Sequence, residues 1–338
     1  GTDGPAVAVA ASIARTLGHE TNSAHALAAA DDKLQQRRAL ATLGLSQPRF
    51  TSSEAGRGWT HFPAVVKPVD RSASQGVLRA DDATDLEARI AVVRDIVGPN
   101  APVLIEELVP GIEVAVEGIL RRGSLEVLAV FDKPDAPTGP TFPETLLISP
   151  ARLDASTVEI VVDLAADACA AIGLTEGPVH VECKIDGERV WFIELAARTI
   201  GGLCSRSLRP GGNSLEELVL LHALGRPTRS EESHGASGVL MLPVPKRGVL
   251  DHVGGQDQAL VVPAVTDVII SIGPGEEVVP LPHGNRYLGF VFARADTADD
   301  VEEALRQAWS VLDVRISAST SDSTDRRQLR GRSDQPPG

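Results

Sequence analysis

The sequence predicts an α+β protein, in which helices and strands alternate irregularly instead of repeating as a doubly wound sheet would. Three observations carry that expectation: helical runs closed by glycine, short apolar strand-like runs bounded by turn residues, and a hairpin pattern around Asp186-Gly187. No internal repeat is visible.

Residues 6–17 are rich in Ala, Val and Ile and stop before Gly18, as a packed helix with a glycine stop does. A second helical stretch, 31–43, carries Lys33, Arg37 and Arg38 and closes at Gly44. A loop with Pro48 and Gly56 precedes a short buried-strand candidate at 62–68. Thr84-x-x-Glu87 reads as a capping box opening a helix that reaches Val97 before Gly98-Pro99. Strands are expected over 103–109, 113–120 and 125–131, with Gly123-Ser124 in a turn. Ser156-x-x-Glu159 reads as the cap of a helix running to Ile172 and ending at Gly173. Ser214 to Leu224 forms a helix stopped by Gly225. Short strands follow over 235–294, then an amphipathic helix over 297–312 with acidic residues in its first turn, where they favour the dipole. From Ser317 the chain is Ser/Thr/Asp/Arg-rich with a Pro-Pro end, the composition of a disordered tail.

The 338 residues suffice for two or three packed units, with 43% hydrophobic and 23% charged residues. A net charge of −14 argues against a nucleic-acid partner and gives no electrostatic reason for an anionic membrane. There is no run of 18 apolar residues and no signal sequence, so cytoplasmic residence is the default. The three cysteines, Cys169, Cys183 and Cys204, lack metal spacing and read as small core residues in a reducing compartment. The chain opens on Gly1 and not Met, so a longer natural N-terminus is expected.

The chemistry concentrates in His180-Val181-Glu182 and Glu194-Leu195-Ala196-Ala197-Arg198, followed by Gly201-Gly202. Paired carboxylates on adjacent strands suit Mg²⁺, which prefers hard oxygen ligands. Register decides the matter. An odd loop centred on Gly187 pairs His180 with Glu194 and makes Glu182 and Glu194 diagonal neighbours, about 7 Å apart at Cβ. A two-residue Asp186-Gly187 loop puts them on opposite faces. Without a metal, both are ordinary surface glutamates on a half-exposed hairpin.

Lys67 ends an apolar run and costs desolvation unless an anion meets it, so it is a candidate phosphate ligand. The loop from Asp70 to Val77 gives backbone N–H groups room to approach phosphate oxygens, although such Ser/Gly loops are more often plain turns. Glu106 and Glu107 interrupt an apolar segment. They mark either an edge strand with a solvated glutamate or a hinge that hydrogen-bonds an adenine, with Glu113 reaching the ribose.

The order Lys33, Lys67 with its loop, Glu106-Glu107-Leu108-Val109-x-Gly-x-Glu113, Glu182, Glu194 and Arg198 resembles the ATP-grasp enzymes over roughly residues 20–210. Asp132-Lys133-Pro134, Gly139 to Thr145, and Glu194 to Arg198 look most like the L-amino acid ligases. The 235–312 segment, with Pro282 to Phe290, resembles the C-terminal domain of that group. The implied fold is two α+β subdomains clasping ATP, with a C-terminal α+β subdomain. The implied division is a remnant of a preceding domain at 1–47, an ATP-grasp domain at 48–230, a ligase domain at 235–316 and the tail at 317–338.

The resemblance implies a carboxylate–amine ligase that forms an acyl phosphate and releases ADP and phosphate. Lys33 and Lys67 would hold ATP phosphates beneath a mobile loop with Ser72, Ser74 and Gly76. Glu106, Glu107, Leu108 and Val109 would line the adenine slot, and Glu113 would hold the ribose. Glu182 and Glu194 would bind Mg²⁺ (or Mn²⁺). Arg198, Glu144 and Lys133 are the catalytic candidates, Arg198 to stabilise the tetrahedral intermediate and Glu144 to orient the ammonium. Many ATP-grasp enzymes carry Asn as a metal ligand where this chain has Ala196, a substitution the amino acid ligases tolerate. The partners expected are small-molecule carboxylates and amines, with a homodimer open and neither nucleic acid nor membrane. The competing readings are a biotin-carboxylase-like carboxylase, which expects more glycine in the 72–76 loop, and an inactive ATP-binding module lacking its N-terminal segment.

Overall fold

The computed structural model describes residues 4–54, 58–137, 139–209, 212–226 and 235–318. Three helices lead: α1 (Gly4–Thr16), α2 (Ala24–Ala30) and α3 (Lys33–Thr42). α2 is not foreseen in the sequence, because seven residues show little periodicity; Ser23 caps it by accepting the Ala26 N–H. Asp32 caps α3 in the same way and fixes where Lys33 enters the site.

A small unit follows, with β1 (Phe50–Ser52), β2 (Ala64–Pro68), β3 (Leu78–Ala80), α4 (Ala83–Val97) and β4 (Val103–Glu107). Its antiparallel sheet runs β1-β4-β2-β3, and α4 packs on it through Leu86, Ile90 and Val93. The expected Thr84 cap is wrong: Asp82 takes the Thr84 and Asp85 N–H groups. A carboxylate is the better acceptor, and it stands two residues earlier. The same displacement occurs in the next helix, capped by Asp154 in place of Ser156.

The larger unit holds β5 (Ile112–Arg121), β6 (Ser124–Lys133), β7 (Leu146–Ser149), α5 (Ala155–Ile172), β8 (Glu176–Asp186) and β9 (Arg189–Ala196). After α6 (Leu215–Ala223) come β10 (Ala236–Leu242), β11 (Gly248–Gly254), α7 (Gln256–Leu260), β12 (Val265–Ile270), β13 (Glu277–Val278), β14 (Gly289–Ala295), α8 (Ala298–Ser310) and β15 (Asp313–Ser317). One antiparallel sheet of eight strands, in the order β12-β14-β10-β7-β6-β5-β8-β9, runs through both stretches of chain. A third sheet, β13-β11-β15, stands beside it. The α+β expectation agrees with this architecture. The expected tail lies outside the described residues beyond Ala318.

Strand periodicity sorts the large sheet into two faces. Val114, Val116 and Leu120 of β5 and Val179, Val181, Cys183 and Ile185 of β8 turn toward α1, α2, α3 and α5 and form the main core. The alternate residues, Glu113 and Glu117 of β5 and His180, Glu182 and Lys184 of β8, therefore lie on the opposite face. That face carries the site.

Candidate active site

The β8–β9 hairpin decides whether Glu182 and Glu194 meet. Its turn is two residues long, since Asp186 pairs with Arg189 and Cys183 with Phe192. An unbroken ladder of that register sends Glu194 into the core beside Val190 and Phe192. A bulge at Ile193 adds one residue, flips the face, and sets Glu194 directly opposite Glu182. Neither expected loop is correct, and the shared face comes from the bulge. Leu195 then takes up the core position and Ala196 follows Glu194 on the site face.

Arg37 holds that bulge. Its guanidinium donates to the Ile193 carbonyl at 2.6 Å, lies 5.3 Å over the Phe192 ring, and pairs with Glu106 through Nε. Lys67 meets the other Glu106 oxygen at 2.7 Å. All three side chains are buried. Burial alone would raise the Glu106 carboxyl, but Arg37 and Lys67 hold it below its ordinary value. Glu106 thus acts through its side chain as the buried counter-ion of two cations, a role the hinge reading did not include. Its backbone pairs with Phe50 and Val65 in the sheet.

Two cavities open on the site face. One, of about 850 Å³ counting its open mouth, has apolar walls from Val65, Val77, Leu108, Val109, Phe142, Leu146 and Ile193. Lys67, Glu106, Glu107 and Glu113 border it. The other, of about 1100 Å³ counted likewise, is bordered by Lys33, Ser72, Ser74, Arg198, Gly201 and Gly202. Ser74, Lys133, Glu144, Glu182 and Glu194 border both, so the two cavities meet at the carboxylates.

At that junction Lys133 donates to Glu113 and Glu144 at 2.7 Å and to Glu182 at 2.8 Å. Burial opposes the Lys133 charge, but the three carboxylates hold its pKa well above the ordinary lysine value. Burial raises Glu144, with Lys133 opposing, while Lys133 and His180 hold Glu182 well below the ordinary carboxylate range against its own burial. His180 is pushed up to about 9, where the Glu117 carboxylate outweighs burial. Carboxylate oxygens of Glu113, Glu144 and Glu182 lie within 4.8 Å of one another, with the Lys133 ammonium bonded to all three. The hard oxygens that suit a divalent cation such as Mg²⁺ are those of Glu182 and of Glu194 opposite it. Glu194 faces the same space and is held by Lys33 at 3.0 Å.

Lys33 also donates to the Arg71 carbonyl at 2.5 Å, tying α3 to the 70–76 loop. Ser72 and Ser74 border the second cavity, and Ala73 and Ser74 adopt left-handed backbone (φ 53° and 55°). Gly76 is set apart: it is buried against Pro68, and its N–H donates to the Pro282 carbonyl at 2.9 Å. Glu107 accepts the Arg49 N–H, Leu108 donates to the Pro63 carbonyl, and Arg198 donates to the Thr199 carbonyl. Sequence reasoning assigned no role to Arg37, Glu117, Lys184 or Tyr287. Lys184 reaches the Val109 carbonyl at 3.4 Å, and Tyr287 reaches Glu144 at 3.4 Å. Arg37 and Glu117 carried a detectable signal, an ionisable group on a core-facing helix and one inside an apolar strand. All three cysteines are free and buried, and burial pushes each thiol up, leaving no thiolate nucleophile among them.

Residues 60–207 match the sequence pattern of the ATP-grasp domain, and residues 240–317 match that of L-amino acid ligase C-terminal domain 2. The structure is similar to the crystal structure of L-amino acid ligase from Bacillus licheniformis, with a TM-score of 0.81 and 26% identity, over 94% of this chain and 80% of that one. An uncharacterized protein of Sinorhizobium fredii is 25% identical over 85% of this chain and 61% of its own length. A D-alanine–D-alanine ligase of Pseudomonas putida is 30% identical over 58% of this chain and 64% of its own. The chain thus spans a little over three-fifths of the length of these two curated relatives.

Proposed function

We propose that this chain, which belongs by its sequence patterns and structure to the ATP-grasp superfamily in its L-amino acid ligase group, is an ATP-dependent carboxylate–amine ligase acting on amino acids. The observation that carries the reading is the meeting of two cavities at Glu182, Glu194, Glu144 and Lys133, with cations on either side. An apolar-walled slot on one side suits an adenine. The polar cavity on the other suits two small zwitterions.

A carboxylate is a poor electrophile. In the proposed reaction its oxygen attacks the γ-phosphorus of ATP, ADP leaves, and an acyl phosphate forms. The neutral amine nitrogen of the second substrate then attacks the acyl carbon. The C–O bond breaks and its electron pair leaves with phosphate; the amine nitrogen gives up two protons to solvent or a carboxylate, one from the ammonium before attack and one as the amide forms. The protein positions the reactants and offsets charge. Lys33 and Lys67 are assigned to the phosphates, with Ser72 and Ser74 of the loop bordering the same cavities. Glu182 and Glu194 would hold Mg²⁺, which supplies charge neutralisation on the phosphates. Glu113 is assigned to the ribose. Arg198 and the Gly201-Gly202 backbone, which border the second cavity, are assigned to the developing oxyanion. Glu144, whose carboxyl is raised by burial, is assigned to the incoming ammonium, with Lys133 holding it in place.

Among the described residues no helix is long and apolar enough to cross a membrane, and we assign the reaction to the cytoplasm. ADP release from the chain with pooled amino acids, followed by product mass, tests the proposal. Amino-acid-dependent ADP and a product heavier by one residue are expected. Bicarbonate-dependent ADP release would favour a carboxylase, and nucleotide binding without ADP release an inactive module.

A further inference from the structure

The site face buries one carboxylate that no step above uses. Glu117 lies in the middle of β5 with a relative exposure of 0%. It stands where the β5–β6 register shifts, so that Leu128 is the extra residue. Gly118 follows, where a Cβ would lie 2.8 Å from the Glu126 carbonyl, so the glycine is what lets β6 close on this position. The neighbours Val114, Val116 and Ile119 show that the strand readily takes apolar residues. A carboxylate there is costly unless both oxygens are met.

Both are. One Glu117 oxygen meets His180 Nδ1, and the other accepts the Ile200 N–H at 3.2 Å. His180 is the cross-strand partner of Glu117, and its Nε2 lies 3.2 Å from Glu182 Oε1. Ile200 sits between Arg198 and Gly201 on the turn that leaves β9. A continuous line of hydrogen bonds therefore joins Glu182 to that turn through one buried carboxylate.

We propose that Glu117 is a positioning residue that keeps the Glu182 carboxylate and the Arg198–Gly202 turn at one fixed spacing, acting through His180 on the first and through the Ile200 N–H on the second. Glu182 must bind charge on the nucleotide side while the turn meets the oxyanion on the other. A shared anchor stops either from drifting when the phosphates rearrange. Partners of this outer kind commonly change metal affinity or activity by about 10- to 100-fold when removed. The inference rests on the ligase reading of Glu182 and Arg198.

The test compares wild type with Glu117→Gln and His180→Gln. The amide introduced by Glu117→Gln can accept from only one of the two donors, and the His180 variant breaks only the branch to Glu182. Electron paramagnetic resonance counts free Mn²⁺ in the presence of a non-hydrolysable ATP analogue, and circular dichroism checks folding. Both variants are expected to stay folded and to bind the analogue without divalent cation as wild type does. Their Mn²⁺ affinity should fall about 10- to 100-fold. Only Glu117→Gln should add a further loss in kcat at saturating Mn²⁺, because it alone frees the turn. If Glu117→Gln fails to fold, the Mn²⁺ titration of His180→Gln decides the Glu182 branch. Wild-type Mn²⁺ affinity in folded variants overturns the inference alone. A wild type that takes no Mn²⁺ with the nucleotide overturns the ligase reading as well.

Discussion

Replacing Arg37 by Met tests how the hairpin is held. The guanidinium is 1% exposed, pairs with a Glu106 that is itself 3% exposed, and donates to the carbonyl of the bulge residue Ile193. Met keeps the length and loses the charge and both donors. Removing one member of a buried ion pair costs about 3–5 kcal/mol. Lys67 stays 2.7 Å from Glu106 and limits the loss. The Ile193 carbonyl loses its Arg37 donor, about 1 kcal/mol for a part-buried hydrogen bond. These terms share partners and do not add, so the expected loss is about 3–5 kcal/mol. Urea unfolding followed by Trp191 emission reports it, because Trp191 is next to Phe192 on β9. Adding Glu106→Gln removes the stranded charge, so the double variant should lose less than the sum of the singles by at least about 1 kcal/mol. A loss under about 1 kcal/mol for Arg37→Met, or additivity within about 0.5 kcal/mol, would refute this account of the hairpin.

Other outcomes follow from the same geometry. Glu182→Gln should lower amino-acid-dependent ADP release about 100-fold or more while leaving metal-free nucleotide binding unchanged; near-normal turnover would remove Glu182 from the site. Cys204→Ala should keep turnover within about threefold, since its buried thiol is pushed up and cannot serve as a nucleophile; an inactive but folded variant would contradict an acyl-phosphate route. The Glu106 carboxyl is held below 4.5 in the fold, so its contribution is fully present above that value and is lost as pH falls through the depressed one. The unfolding free-energy difference between wild type and Glu106→Gln should therefore be flat at neutral pH and narrow below about pH 4.5. A difference that widens on acidification would reverse the sign of this argument.

Much of the site was legible because ionisable residues in apolar runs need a reason. Lys67, Glu106, Glu182 and Glu194 each interrupt such a run, and all four border the apolar-walled cavity proposed for the nucleotide. The Ile193 bulge was not legible: Val190 to Ile193 is a continuous apolar run with no period to break, and the extra residue becomes visible only in the pairing with β8. The convergence of Glu113, Glu144 and Glu182 on Lys133 was equally hidden, because it depends on which strands neighbour one another across about 70 residues of chain. Glu117 could have been found by the rule that found Glu106, one carboxylate inside Val114–Leu120. The two helix caps missed the better acceptor two residues upstream in each case, Asp82 and Asp154.

The central claim is that the carboxylate is activated as an acyl phosphate on this site. Once the pooled assay identifies a carboxylate substrate, that substrate labelled with ¹⁸O in its carboxyl group is turned over with ATP and the amine, and the phosphate is analysed by mass. The account predicts ADP and inorganic phosphate in equal amounts, with one ¹⁸O atom carried into each phosphate. Unlabelled phosphate, or AMP with label in its phosphate, would contradict it.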